Sequence, residues 1–89
     1  MKSFLGDDFV ALFALLPDRV KRQARKNYRL WREDPRHPSL DFKRVGKTLP
    51  VYSVRVGIGW RALGLKERNG VVWFWIGSHA EYDRLLRGL

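Results

Sequence analysis

Hydrophobic positions in the first third of the chain recur at helical spacing and divide into two segments. The stretch "GDDFVALFALLP" is almost wholly apolar after its two acids. It predicts a short helix with Asp7 as its N-cap, ended by Pro17. So little polar surface remains on this helix that we expect it either to be well buried or to meet a partner.

A longer amphipathic helix is predicted from residue 18 to about residue 33. Its apolar residues recur every three or four positions and form one stripe, while Lys and Arg cover the rest of the surface. The stripe consists of Val20, Ala24, Tyr28 and Trp31. The segment "DPRHPSLDF" then ends the helix with two prolines and a turn.

From Val51 onward the hydrophobic period changes to two, which predicts three strands. They are "VYSVRV", "WRALGLKER" and "VVWFWIGS". The glycines of "GIG" at 57–59 predict the first turn, and Asn69-Gly70 predicts a type I′ hairpin for the second.

The lengths of these turns set the register of the strands. A three-residue first turn, which we prefer, pairs Arg55 with Arg61 and Val56 with Trp60. A two-residue turn would put the two arginines on opposite faces. The Asn-Gly hairpin pairs Arg61 with Ser78. Arg55, Arg61 and Ser78 would then lie side by side on one face, at one end of the sheet.

The third strand runs directly into "SHAEYDRLL". Ser78 and Glu81 have the spacing of a capping box, which predicts a last helix with Ser78 as N-cap and His79 as its first residue. Tyr82 would follow one turn later on the same side of the helix.

Charge adds a functional signal to this pattern. The 89 residues suffice for one small domain, 1–89, and carry 18 Lys and Arg against nine Asp and Glu, a net charge of +9. Eleven basic and three acidic residues fall between positions 19 and 47. Such a patch favours a polyanionic partner through phosphate contacts and counterion release.

The sequence gives no sign of a membrane-spanning segment, a metal site or a cofactor. The chain has no cysteine, as is typical of proteins of a reducing cytosol, and its longest apolar run is too short to span a bilayer. No carboxylate pair or His/Asp cluster has the spacing of metal ligands, so we expect neither a metal nor another cofactor.

The residues at the end of the predicted sheet suit metal-free cleavage of RNA. Arg55 and Arg61 could hold a phosphate and stabilise charge developing on it. His79 could give or take a proton near neutral pH, at a helix N-terminus that favours anions, with Tyr82 beside it. The plainer interpretation is two salt-bridged surface arginines and a solvated histidine.

Seven further basic residues are candidates for contacts to RNA phosphates. The alternative for all of them is an ordinary solvated surface. They are Arg22, Arg25, Lys26, Arg29, Lys43, Arg44 and Lys47.

The order of these segments resembles the RelE/ParE superfamily of type II toxin–antitoxin toxins. The resemblance runs from about residue 9 to residue 86 and is most specific in "YSVRVG", "GWRAL" and "IGSHAEYDRLL". It implies an α+β fold in which two antiparallel N-terminal helices pack on a small antiparallel sheet, followed by a short C-terminal helix. It also implies a bacterial cytosolic protein bound by a cognate antitoxin. For the usual first strand, only about residues 2–5 are available.

The resemblance also implies roles for individual residues. In the mRNA-cleaving branch, Arg61 matches the strand arginine that holds the scissile phosphate, and His79 matches the Arg or His that acts on the leaving group. Arg55 is a weaker match on the preceding strand, and Tyr82 resembles a C-terminal tyrosine of some members. The lysines that the best-known member uses as a base are missing here.

The leading hypothesis is therefore a ribosome-dependent mRNA endonuclease that inhibits translation. Its partners would be the ribosome, mRNA and a small acidic antitoxin encoded next to it. Replacing His79 or Arg61 by Ala should abolish growth arrest with little change in melting temperature. The alternatives are a ParE-like inhibitor of DNA gyrase and a non-catalytic module that binds RNA or the ribosome.

Overall fold

The computed structural model describes residues 1–88, which form three α-helices and one five-stranded mixed sheet. In chain order the elements are β1 (Ser3–Leu5), α1 (Asp7–Ala14), α2 (Asp18–Glu33), β2 (Lys43–Arg44), β3 (Val51–Gly57), β4 (Trp60–Glu67), β5 (Gly70–Ser78) and α3 (His79–Leu86). A short 3₁₀ helix, Pro38–Leu40, precedes β2. The expected α+β fold is confirmed.

The sheet order is β1-β5-β4-β3-β2. The first strand of the family does form here, over Ser3–Leu5, and it runs parallel to β5. The other neighbouring pairs are antiparallel. The sheet is therefore mixed, where the resemblance implied an antiparallel one, and the segment after α2 contributes an edge strand that the sequence pattern did not indicate.

The two N-terminal helices begin differently from one another. The bounds predicted for α2 are confirmed, with Pro17 as its N-cap. The prediction that Asp7 caps α1 is wrong by one residue, because Gly6 is the N-cap. Gly6 extends the pairing of β1, since its N–H donates to the Trp73 carbonyl at 2.9 Å, and the helix can begin only after it.

Helices α1 and α2 cover one face of the sheet, which we call the α1/α2 face. Its buried cluster is entirely apolar and is built around Trp31 and Trp73, whose ring centroids are 5.2 Å apart in an edge-to-face arrangement. The stripe predicted on α2 is confirmed at Val20, Ala24 and Trp31, and Tyr28 packs at the margin.

Helix α1 lies at the border of this core. None of its residues is fully buried, although Phe9, Leu12 and Phe13 pack against the cluster. Val10 is half exposed, and Leu15, just after the helix, is 82% exposed. The idea that α1 is well buried is therefore wrong.

The opposite face, which we call the α3 face, is covered by α3. Its buried residues are Val51, Leu63 and Tyr82, with Trp75 and Leu86 at the margin. Two polar residues, Ser53 and Arg61, are also buried here and lie against Tyr82. The α3 face thus holds the buried polar side chains.

The register of the first hairpin is partly as predicted. Arg55 pairs with Arg61 and Val54 with Ala62. Trp60 pairs with Gly57 and not with Val56, because the register shifts between Arg55 and Gly57. Gly59, at φ +78°, closes the turn in a backbone conformation that suits glycine.

The second hairpin departs further from its prediction. Gly70 already pairs with Glu67, so the turn residues are Arg68 and Asn69 and not Asn69 and Gly70. Glycine is required at position 70 for another reason, because a Cβ there would collide with the Lys2 carbonyl beside β1.

A bulge in β5 adds a second register change. Leu63 pairs with Trp75 and Gly64 with Trp73, so Phe74 has no partner in β4. Trp73 therefore lies in the α1/α2 core and Trp75 on the α3 face, although strict alternation would place both on one face.

Relative to the predicted β4–β5 register, the displaced turn shifts the pairing by two residues, and the bulge shifts it back by one. As a result, Ser78 pairs with Trp60, and Arg61 pairs with Gly77. The predicted alignment of Arg61 with Ser78 is thus wrong by one residue.

Candidate active site and nucleic-acid interface

The start of α3 places His79 beside the turn between β3 and β4. Both halves of the predicted capping box are present: Glu81 N donates to Ser78 Oγ at 3.3 Å, and Ser78 N donates to Glu81 Oε1 at 3.4 Å. His79 N donates to the Gly59 carbonyl at 2.8 Å. The helix start and the turn are therefore joined by a backbone hydrogen bond, and the capping box fixes the junction of β5 and α3.

The His79 side chain is oriented by its own helix. Its Nδ1 lies 3.2 Å from Asp83 Oδ2, one turn along α3, and its ring meets the Tyr82 ring edge-on at 5.4 Å. The imidazole is 53% exposed. Because Asp83 occupies Nδ1, the nitrogen that can face a substrate is Nε2.

A shallow pocket of about 240 Å³ opens at this end of the sheet. Its lining comprises Arg55, residues 57–60, Arg61 and His79. Three of the four predicted catalytic residues therefore share one pocket, and Tyr82, the fourth, lies beneath it. The pocket combines cationic side chains with an imidazole, which suits a nucleotide phosphate.

Arg61 is held far more tightly than the sequence indicated. Its side chain is 4% exposed. Nε and Nη2 donate to Ser53 Oγ at 3.0 and 2.7 Å, Nη2 also donates to the Asp41 carbonyl at 3.0 Å, and Nη1 donates to Asp41 Oδ2 at 3.2 Å. Such a fork of fixed donors presents a guanidinium in one geometry.

Tyr82 completes this network from α3. It is buried, and its hydroxyl donates to Ser53 Oγ at 3.0 Å. The guanidinium carbon of Arg61 lies 5.1 Å from the centre of its ring, within the range of a cation–π contact. Tyr82 therefore positions Arg61 and Ser53, and its hydroxyl is already engaged inside the protein.

Asp41 is the counter-ion of the network. Partial burial alone would raise the pKa of its carboxyl, but the hydrogen bond and charge of Lys43, together with Arg61, lower that pKa below the usual 3.8. The carboxylate is 38% exposed and lies 3.3 Å from Lys43 Nζ. The Asp41 backbone adopts a left-handed conformation at φ 44°, which aspartate tolerates better than most residues.

Arg55 differs from its cross-strand partner. Its side chain is exposed and makes one long hydrogen bond, from Nη1 to the Ser39 carbonyl at 3.5 Å. Arg55 and His79 are therefore the solvent-facing groups of the pocket, and Arg61 is the buried one.

Comparison with known proteins identifies the fold family. Residues 18–84 match the family model described as the ParE-like toxin domain. The chain belongs to this toxin family. Membership of the RelE/ParE superfamily, expected from the sequence, is thereby confirmed.

Solved RelE structures share the fold of this toxin domain. The RelB–RelE complex of Methanococcus jannaschii aligns with a TM-score of 0.72 at 14% identity, covering 91% of this chain and 96% of that one. The RelE–RelB complex of Pyrococcus horikoshii gives 0.65 at 13% identity, covering 86% and 92%. Isolated RelE of Escherichia coli gives 0.65 at 17% identity, covering 98% and 97%. No curated protein matches the chain.

The seven basic residues that are candidates for RNA contacts lie on two exposed surfaces. Arg22, Arg25, Lys26 and Arg29 are all exposed on α2, off the buried stripe. Arg25 also lies over the Phe13 ring, 5.2 Å from its centre. The other three candidates, also exposed, are Lys43 and Arg44 on β2 and Lys47 in the loop after it. Among residues 1–88, no helix is both long and apolar enough to cross a bilayer.

Sequence reasoning missed three members of the site. Asp83 could have been found from its position four residues after His79, which puts both on one side of the helix. Ser53 could have been found two residues before Arg55, on the same face of β3. Asp41 carried no local signal, because its contact with Arg61 spans 20 residues and depends on the path of the loop after α2.

Proposed function

We propose that this toxin inhibits translation by cutting mRNA on the ribosome without a metal ion. The observation that carries the proposal is the pocket in which an exposed, oriented imidazole at a helix N-terminus meets two arginines. The helix start contributes a positive field to the same place. RNA offers both the anion and the internal nucleophile that such a pocket can use.

The reaction is a transesterification within the RNA strand. The 2′-oxygen attacks the adjacent phosphorus, the bond from phosphorus to the 5′-oxygen breaks, and the products are a 2′,3′-cyclic phosphate and a 5′-hydroxyl. His79 Nε2, protonated and paired with Asp83, donates its proton to the leaving 5′-oxygen. The proton of the 2′-hydroxyl passes to solvent water.

The arginines divide the electrostatic work. Arg55, which is exposed, contacts the phosphate oxygens as charge develops on them. Arg61 supplies a fixed positive charge at the pocket wall, held by Ser53, Asp41 and Tyr82. Tyr82 is thus a positioning residue in this mechanism.

RNA and the ribosome would approach over the basic surfaces. The four α2 residues and the β2 group, Lys43, Arg44 and Lys47, are exposed and able to contact phosphates.

An acidic antitoxin is the partner that we propose for the resting state. Two of the structures that share the fold are toxin–antitoxin complexes. The net charge of +9 would speed capture of an acidic chain, and the exposed Val10 and Leu15 offer it apolar contacts. Nothing in the comparisons supports the DNA gyrase alternative.

Induced expression tests the proposal directly. We would map mRNA 5′ ends across the transcriptome and measure plasmid supercoiling for the wild-type protein and for His79→Ala and His79→Gln. The wild type should cut translated frames, and both variants should lose about 10²–10⁴-fold of the cleavage rate, since glutamine keeps a hydrogen bond but cannot transfer the proton.

Retained folding is the control for this experiment. Both variants should keep the wild-type melting temperature and should co-purify with the product of the neighbouring gene as the wild type does. A supercoiling defect without mRNA cuts would assign the protein to gyrase inhibition. Full toxicity in His79→Ala would show that the histidine only begins a helix.

The α2 surface is tested by salt dependence. RNA binding should weaken when Gln replaces the four α2 residues, Arg22, Arg25, Lys26 and Arg29. The slope of log K against log salt should become shallower by about 0.7 for each phosphate that the variant no longer neutralises. A control variant replaces two other basic residues at the start of the helix, Arg19 and Lys21, with Gln, and the change in slope is compared for each charge removed. An unchanged slope in the fourfold variant would show that this surface faces the antitoxin or solvent.

A further inference from the structure

Asp41 lies where the cations of the α3 face converge. Its carboxylate contacts Arg61 Nη1 at 3.2 Å and Lys43 Nζ at 3.3 Å through the same oxygen, Oδ2. Arg55 reaches the Ser39 carbonyl, two residues earlier in the chain. One carboxylate therefore occupies the place where an anion would meet a guanidinium and an ammonium together.

The contacts of Arg61 separate into a fixed set and an exchangeable one. Three of them run to Ser53 Oγ and to the Asp41 backbone carbonyl. Only the Nη1 contact uses the carboxylate, which is 38% exposed although Arg61 is 4% exposed. Rotation of the Asp41 side chain toward Lys43 would free both Nη1 hydrogens and leave the other three hydrogen bonds in place.

The backbone keeps Asp41 at this position whatever its side chain does. Its N–H donates to the Pro38 carbonyl at 3.3 Å, at the end of the 3₁₀ helix, and its φ of 44° fixes the left-handed conformation. Asparagine adopts this conformation as readily as aspartate. Asp41→Asn therefore removes the charge without displacing the carbonyl that holds Arg61.

We propose that the Asp41 carboxylate occupies a phosphate subsite, and that an RNA phosphodiester replaces it on Arg61 while Lys43 retains the displaced carboxylate. The inference rests on the proposed function in that the incoming anion is RNA. It explains how an arginine that is buried and paired in the free protein can still bind substrate. Asp41 then lowers the affinity of the toxin for its ligand.

The test follows the Arg61 Nε–H signal by NMR. Inorganic phosphate and a short 2′-O-methyl oligoribonucleotide, which cannot be cleaved, are titrated into the wild type, Asp41→Asn and Asp34→Asn. Asp34 is exposed at the end of α2, so its replacement changes the net charge equally, away from the network. We expect Asp41→Asn to bind both probes at Arg61 about three- to tenfold more tightly than Asp34→Asn, as expected for loss of a partly exposed competing charge.

A second pair of variants predicts the opposite change. Lys43→Gln removes the group that retains Asp41, so phosphate should bind at Arg61 about threefold more weakly than in Lys66→Gln, which has the same net charge and changes an exposed residue outside the proposed RNA surfaces. Equal or weaker binding by Asp41→Asn, or an Arg61 signal that neither probe moves, would overturn the proposal. Tighter binding in a protein that cuts no mRNA would retain this subsite and refute the endonuclease function.

Discussion

The two faces of the sheet are closed by opposite chemistry. The α1/α2 face is filled by aromatic and aliphatic side chains around Trp31 and Trp73. The α3 face is closed over a guanidinium, whose donors are satisfied by Ser53 and Asp41 and whose face lies against the Tyr82 ring. The first arrangement stabilises the domain through burial of apolar surface, and the second holds a charge in a defined place at the border of an open pocket.

The contrast shows which part of the domain can carry chemistry. The apolar core of the α1/α2 face cannot hold an unpaired charged group. The α3 face, where a short helix covers a polar network, can hold the charged groups that contact a substrate. His79 begins that small helix, and the pocket opens beside it. Variants on the two faces should therefore separate stability from activity.

The largest effect on stability is expected on the α1/α2 face. Trp31→Ala should lower the free energy of unfolding by about 3–5 kcal/mol, because it leaves a cavity among rings that are almost fully buried. Urea denaturation measures the loss. Trp31→Phe should lower the free energy of unfolding far less, since the indole N–H has no acceptor among residues 1–88. Leu15→Ala should leave it unchanged, because Leu15 is 82% exposed. A similar cost for all three would mean that this face is not the main core.

An intermediate effect is expected on the α3 face, and it revises a prediction made from the sequence. Arg61→Ala should reduce the free energy of unfolding by about 2 kcal/mol, because it removes four hydrogen bonds and leaves the partly buried Asp41 carboxylate without its guanidinium. The cross-strand partner supplies a matched control, since Arg55 is exposed and Arg55→Ala should cost less than about 0.5 kcal/mol. Equal melting temperatures for the two variants would show that the network adds nothing to stability.

The smallest effect concerns pH. The pKa of Asp41 is lower in the folded protein than in the unfolded chain, so its contribution to stability is present above the usual aspartate pKa and is lost as pH falls through the lowered value. The difference in melting temperature between the wild type and Asp41→Asn should therefore be constant near neutrality and shrink below about pH 4. A difference that stays constant into acid would contradict the ion pair.

The elements that local patterns control were predictable. The bounds of α2, the capping box at Ser78 and the pairing of Arg55 with Arg61 all follow from spacing within a few residues. What the sequence could not reveal depends on contacts between distant segments. Glycine is needed at position 70 because β1 passes close to it, and not because of the turn. Glycine is needed at position 64, next to the bulge at Phe74, because a Cβ there would collide with Trp73.

The same limit explains the candidate site. His79 could be placed at a helix start from four residues of sequence, and the structure brings it into one pocket with both arginines. The burial of Arg61 could not be foreseen, because its partners come from the loop after α2 and from the middle of β3. The sequence of a single strand does not distinguish a buried arginine from one that faces solvent.

The outer strands of the sheet have a consequence for how the protein behaves at high concentration. β1 has three residues and β2 has two, so each outer edge offers few unpaired backbone groups to another chain. Both residues of β2 are cationic, which repels a second copy with the same edge. The sheet is therefore protected against edge-to-edge aggregation, even though the face beside it leaves Val10 and Leu15 uncovered.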